Sequence, residues 1–300
     1  MPPKPQVTKQ SPVSTKPKPK PKMPVGNPDS DDPWERLGSE STETDFMKML
    51  IFGGSGTGKT RTASTFPGPI LWIICSGIRK SGELLSLSKK TREKITPIRV
   101  RNTEEVLKLC EGQAQTGRFT TVVLDHASGL QDYSMREILN IPEMPAQLSF
   151  GIASREQWNE SNGQCKEILR TLLNLDCHGV VLAQERDFND KLGTGHADSL
   201  NPAIGAGLTP GLATWLAPTC DYVCQTYRRA EMIATTQTVG EGDDAIESVI
   251  EVPTGKIQYC ARVGPSDTVM TKFRVPEETE LPDFIINPSY DKFMRLINGG

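Results

Sequence analysis

The sequence lacks any apolar run approaching the roughly 18 residues of a membrane-spanning helix. Its apolar runs, such as Gly179 to Ala183, are strand-length, and the chain reads as soluble with no membrane partner. It also lacks an excess of one charge sign: 34 Lys and Arg against 37 Asp and Glu leave a formal net charge of −3. Nothing in bulk electrostatics then draws it to nucleic acid, and any polyanion contact has to be local. The seven cysteines, Cys75, Cys110, Cys165, Cys177, Cys220, Cys224 and Cys260, are odd in number and scattered, which argues against both a disulfide framework and a zinc site. An N-terminus reading Met-Pro-Pro-Lys-Pro has no apolar signal core, so the expected location is a reducing cytoplasm with free thiols. There is no internal repeat and no G-x-S-x-G elbow. What remains, 36% apolar and 24% charged residues, is ordinary globular usage and excludes collagen-like and coiled-coil chains.

Two regions are expected. Residues 1–45 form a tail, Lys/Pro-rich through Lys22 and then acidic from Asp29 to Asp45. Proline removes backbone donors and the charges cannot be buried, so this segment is expected to be disordered, as a solvated spacer or as a basic arm touching DNA or a partner. Residues 46–300 carry the folded pattern. Met47 to Phe52, Ile70 to Cys75, Ile98 to Val100, Thr121 to Leu124 and Gly179 to Ala183 read as buried strands. Helical stretches around Glu104 to Gln113, Gly129 to Leu139 and Glu156 to Leu175 separate the later ones. Alternation of this kind predicts an α/β fold with a mostly parallel central sheet. From about residue 218 the texture changes to a β extension. Asp221 to Tyr227, Ile233 to Val239, Glu247 to Val252, Ile257 to Val263 and Thr268 to Arg274 read as successive antiparallel strands, with turns at Gly240 to Asp244 and at Thr254 with Gly255. A last helix, Tyr290 to Ile297, is expected to stop at Asn298 and Gly299.

The chemistry concentrates in Gly53-Gly54-Ser55-Gly56-Thr57-Gly58-Lys59-Thr60, a G-x-x-x-x-G-K-[ST] phosphate loop placed between a predicted strand and a predicted helix. Glycines let successive backbone N–H groups converge on phosphate oxygens, and the helix N-terminus adds positive potential. Lys59 is expected to reach the terminal phosphates of ATP and Thr60 to ligate Mg²⁺, with Asp125, closing an apolar strand, as the second metal-side group. His126 follows where many such ATPases carry a Glu; it reads as a loop or supporting residue.

These residues resemble the RecA-like P-loop ATPases, and most closely the phage and bacterial ATP-binding proteins grouped with Sak-type phage recombinases. The resemblance covers about residues 46–297 through the phosphate loop, Pro69 to Trp72, Val122 to Asp125 and Val180 to Glu185. It implies a RecA-like fold and ATP hydrolysis with Mg²⁺ in DNA recombination or repair, on single-stranded DNA and as a possible homo-oligomer. It also implies a catalytic Glu after the second strand, where this chain has Ser76, which cannot act as an equivalent base. Glu83 and Glu185 are the nearest substitutes. Gln184 matches a strand-end sensor of the γ-phosphate, or is simply a polar strand end. Arg186 and Lys191, in a long segment from Arg186 to Gly207, are candidate DNA contacts. Arg262, Lys272 and Arg274 are candidates for a phosphate bound by a neighbouring subunit, or plain surface cations, with Arg228 and Arg229 of the same kind. A nucleotide-binding assembly switch with little or no hydrolysis is the alternative function, and a small-molecule kinase stands behind both.

Overall fold

The computed structural model describes residues 31, 35, 46–76, 82, 84–142, 153–188, 202–239 and 246–299. The chain divides into Met1–Thr44 and Asp45–Gly300. The expectation of a disordered tail falls outside the described residues, and the helices and strands among the described residues belong to the second unit.

The elements run β1 (Lys48–Gly53), α1 (Lys59–Ala63), β2 (Ile70–Ile74), α2 (Lys89–Glu93), β3 (Ile95–Arg99), α3 (Thr103–Thr116), β4 (Thr121–Asp125), α4 (Ala127–Leu139), α5 (Arg155–Leu173), β5 (His178–Asp187), β6 (Ile204–Ala206), α6 (Pro210–Thr219), β7 (Tyr222–Val239), β8 (Ile246–Arg262), β9 (Lys272–Phe273), β10 (Phe284–Ile286) and α7 (Tyr290–Ile297). The sheet order is β10-β8-β7-β1-β5-β4-β2-β3, with β6 on β5 and β9 on β7. From β7 through β3 every pairing along this path is parallel, whereas β8 and β10 join antiparallel. This is the α/β arrangement, with a mostly parallel centre and antiparallel C-terminal strands, that the sequence pattern implied.

Side-chain alternation sends the central strands β1, β2, β4 and β5 into two cores, whereas β3, at the sheet edge, leaves Thr96, Pro97 and Ile98 exposed, so the expectation of a buried strand over Ile98 to Val100 is not met. Leu50, Phe52, Ile73, Leu124 and Val181 lie on one face with buried residues of α3 to α6; Met49, Ile51, Trp72, Val123 and Leu182 lie on the other with Phe66 and Phe293. Burial on both faces is why these strands read as unbroken apolar runs. The helices are fixed by local caps: Asn102 accepts the Glu105 N–H at the start of α3, and Ser154 with Gln157 forms a capping box on α5. Among the described residues no helix is long and apolar enough to cross a membrane.

The C-terminal strands differ from expectation. All but the first residue of Asp221 to Tyr227, together with Ile233 to Val239, belongs to one strand, β7, whose first part runs parallel to β1. Glu247 to Val252 and most of Ile257 to Val263 likewise merge into β8. The expected turn at Thr254 and Gly255 is a bulge: Ala230 pairs with Ile257 and Met232 with Pro253, so Thr254, Gly255 and Lys256 oppose Glu231 alone. Gly255 takes φ +80°, and the Thr254 hydroxyl donates to Glu231 Oε2 at 2.7 Å. Polar residues around position 230 do not interrupt the strand because the ribbon there is solvent-facing, Arg228 and Ala230 being exposed. The expected turn at Gly240 to Asp244 lies outside the described residues.

Candidate functional site

Gly53, the last residue of β1, pairs with Gln184 of β5 on one side and Thr226 of β7 on the other. A Cβ at Gly53 would fall 2.3 Å from the Thr226 carbonyl oxygen, so the strands close on this point only because the side chain is absent. Past it the chain leaves the sheet, left-handed at Gly56 (φ +72°) and Gly58 (φ +98°), and enters α1 at Lys59. The Thr57 hydroxyl donates to the Gly54 carbonyl at 2.8 Å and lies 2.8 Å from the Thr226 hydroxyl, tying the loop to itself and to β7.

Lys59 turns back over this loop. Its ammonium donates to the carbonyls of Gly53 (2.7 Å) and Gly54 (2.8 Å) and to Gln184 Oε1 (3.3 Å). Burial lowers its pKa, against the opposing pull of Asp125 and Glu185. Gln184 thus meets the lysine of the loop directly, which is more than a strand-end cap requires. Asp125 closes β4, the strand beyond β5, so Gly53, Gln184 and Asp125 stand on three adjacent strands. The Asp125 carboxylate is buried and its Oδ2 accepts the Trp72 indole N–H at 3.1 Å. Among the described residues the Thr60 hydroxyl makes no hydrogen bond.

Of the groups singled out around the expected base, Glu185 and His126 are engaged elsewhere and Ser76 is held through its backbone. Ser76 lies just past β2, next to Cys75, whose N–H donates to the Asp125 carbonyl at 2.7 Å; the Ser76 carbonyl accepts from Arg99 at 3.1 Å. Glu185 Oε2 accepts from Gln225 Nε2 at 2.7 Å. His126 Nδ1 accepts the Gly129 N–H at 3.0 Å and caps α4. Glu83 lies outside the described residues, as does Lys191.

Most of the candidate cations are engaged locally. Arg186 donates to the Leu208 carbonyl at 3.4 Å and lies over Phe188. Within the long segment it opens, Ile204–Ala206 pairs antiparallel with Glu185, Arg186 and Asp187. Arg262 lies over the Tyr227 ring. Lys272 donates to the carbonyls of Pro218 and Cys220 at 2.8 and 2.6 Å, and Arg274 pairs with Asp221 at 3.0 Å. Lys272 pairs opposite Val223, three residues before Thr226, which sets it and Arg274 toward the end of the sheet away from the phosphate loop.

Two residues outside the motif border the loop instead. Arg228 and Tyr259 pair across β7 and β8. Arg228 Nη1 comes within 4.0 Å of where a Cβ on Gly56 would sit, and the Tyr259 ring within 3.3 Å of the same point on Gly58. Tyr259 also lines the hollow of ≈ 350 Å³ that opens over Lys59 and Thr60. In the sequence Arg228 stands out only as one late cation among several, and Tyr259 does not stand out at all. Its position depends on a register between distant strands that leaves no local signal.

A strand ending in a glycine loop, the loop's lysine beside a polar strand end and a buried carboxylate one strand further on together describe a nucleotide-binding P-loop site. No curated protein matches the chain. The family model for the AAA domain matches residues 45–275, and with most of the sequence inside that match the chain belongs to the AAA domain family of P-loop NTPases.

Proposed function

We propose that this protein is a Mg²⁺-dependent ATPase that assists DNA recombination or repair, of the kind found among Sak-type phage recombinases. The observation that carries the ATPase reading is the Lys59 ammonium, held over its loop at Gln184 and within the field of Asp125 and Glu185. A triphosphate entering the loop replaces the Gly53 and Gly54 carbonyls as the partner of that ammonium, and backbone N–H groups of Gly54 to Thr60 surround its oxygens. Gln184, already bonded to Lys59, is the proposed sensor of the terminal phosphate. Thr60 and Asp125 supply the hard oxygen donors that Mg²⁺ takes alongside water, so the residues present fit that cation; bound there, it would neutralise charge developing on the phosphoryl oxygens. Catalysis then rests on positioning and electrostatics, with Asp125 held by Trp72. The recombination role is supported by resemblance, and single-stranded DNA and further copies of the chain are its proposed partners.

A second reading, a nucleotide-binding switch with little turnover, is favoured by one observation. Where the resemblance implies a catalytic Glu the chain has Ser76, two residues past β2, and Glu185, a substitute base, is bonded to Gln225. Steady-state phosphate release from Mg·ATP, with and without single-stranded DNA, decides between them when run beside direct nucleotide binding and Lys59→Ala. Turnover that DNA stimulates and Lys59→Ala abolishes is expected. Tight binding without turnover would establish the switch, and Lys59→Ala binding ATP as wild type would overturn the assignment of the loop.

A further inference from the structure

The hollow over the phosphate loop does not end at the phosphates. It shares Gly58, Arg61 and Tyr259 with a second hollow that runs along α1 toward Thr65, Asn287 and Pro288. Tyr259 is the wall common to both. Its backbone is fixed from two sides, by pairing with Arg228 and by the Asn287 N–H, which donates to the Tyr259 carbonyl at 2.6 Å. Its ring rests against Gly58, whose φ of +98° and lack of a side chain allow that approach. The ring is nonetheless only half-buried, and among the described residues its hydroxyl makes no hydrogen bond. An aromatic side chain whose backbone is fixed by pairing, and whose ring rests on Gly58 and lines the hollow, needs little ordering when a ligand arrives.

The rim has the matching polarity. Asn287, held at φ +48°, and Arg61 are both exposed, and among the described residues neither side chain makes a hydrogen bond. An asparagine amide offers a donor and an acceptor side by side, which matches the paired donor and acceptor on the edge of adenine. Guanine presents acceptors where adenine presents its amino donor. We infer that the second hollow receives the nucleobase: Tyr259 stacks on it, and Asn287 reads its edge in favour of adenine. The β8 strand thereby contributes the base-binding wall of a site whose phosphate-binding half lies at the other end of the sequence. This assignment rests on the nucleotide-binding reading above and adds the part of the ligand that the phosphate loop does not touch.

The experiment measures, by calorimetry with the full chain, the affinity of ATP, GTP and inorganic tripolyphosphate for wild type, Tyr259→Ala, Tyr259→Phe and Asn287→Ala. Tyr259→Ala is expected to weaken ATP on the order of tenfold while leaving tripolyphosphate unchanged, and Tyr259→Phe to retain wild-type affinity. Asn287→Ala is expected to narrow the preference for ATP over GTP. The unchanged tripolyphosphate affinity also serves as the check that Tyr259→Ala folds. Equal weakening of ATP and tripolyphosphate would mean that the ring merely supports the loop, and would overturn the inference. ATP affinity indifferent to Tyr259→Ala, or an ATP preference indifferent to Asn287→Ala, would overturn it as well. A wild-type protein that binds none of the three would overturn the nucleotide-binding reading itself, a result distinct from all of these.

Discussion

The parallel half of the sheet and the β7–β8 ribbon are built from similar apolar and β-branched residues and use them in opposite ways. Met49 to Phe52 on β1 have no solvent exposure, and neither do Val180 to Ala183 on β5. On the ribbon Ile233 is 52% exposed, Ile257 61% and Val249 72%. In the first region burial on two faces stabilises the central strands β1, β2, β4 and β5. In the second, cross-strand pairing has to hold the strands in register with little apolar area removed from water, and an isolated two-stranded ribbon is marginal on those terms. The ribbon persists because its base, through Tyr222 to Thr226, is a strand of the main sheet.

Substitution at the centre of the buried half tests this contrast most severely. Trp72 is fully buried between β3 and β4, and Trp72→Ala is expected to lower the unfolding free energy by about 3–5 kcal/mol in denaturant titrations. A loss under about 1 kcal/mol would erase the distinction between the two regions. A smaller effect comes from acid. His178, at the start of β5, accepts the Met47 N–H on Nδ1 at 3.0 Å and packs against Phe46, Phe66 and Tyr290. Burial, and then the Lys48 charge, lower its pKa. The unfolded chain therefore takes up this proton more readily than the native one. The stabilisation is complete above the unfolded value near 6.5 and is lost as pH falls below it, at no more than about 1.4 kcal/mol per pH unit. Melting curves between pH 7.5 and 5 should show this slope, reduced in His178→Gln; an equal slope in the variant would place the acid sensitivity elsewhere. The smallest change is expected on the ribbon, where Val249→Thr should alter stability by no more than about 0.5 kcal/mol. A loss of about 2 kcal/mol or more would show that something covers that face in solution.

The same contrast decides what could be read from the residues. Strands buried on both faces announce themselves, so Thr121 to Asp125 and Ile70 to Ile74 are legible nearly to the residue, together with the loop whose glycines and lysine occupy fixed spacings. The ribbon is legible as strands but not as two strands, because Arg228, Arg229 and Glu231 look like an interruption until both faces are known to be wet. Pro210–Thr219 is not legible as a helix. Thr209 and Pro210 give a start signal, but Pro218 lies inside its last turn and the segment has no charged face to set a period. The candidate cations show the limit most clearly. Lys272 and Arg274 resemble phosphate ligands in sequence, yet their partners are Pro218, Cys220 and Asp221. The side chains that do border the loop, Arg228 and Tyr259, are brought there by strand register.

The bond from Trp72 to Asp125 has a practical consequence. Of the four tryptophans in the chain, this one has no solvent exposure, and its only polar side-chain atom is committed to that carboxylate. Indole emission depends on what the N–H touches. Any ligand that draws on Asp125 must share the carboxylate with the indole, so the protein carries an intrinsic fluorophore wired to the acid of its own candidate site. Occupancy there can be followed without a label, with Trp72→Phe as the silent reference.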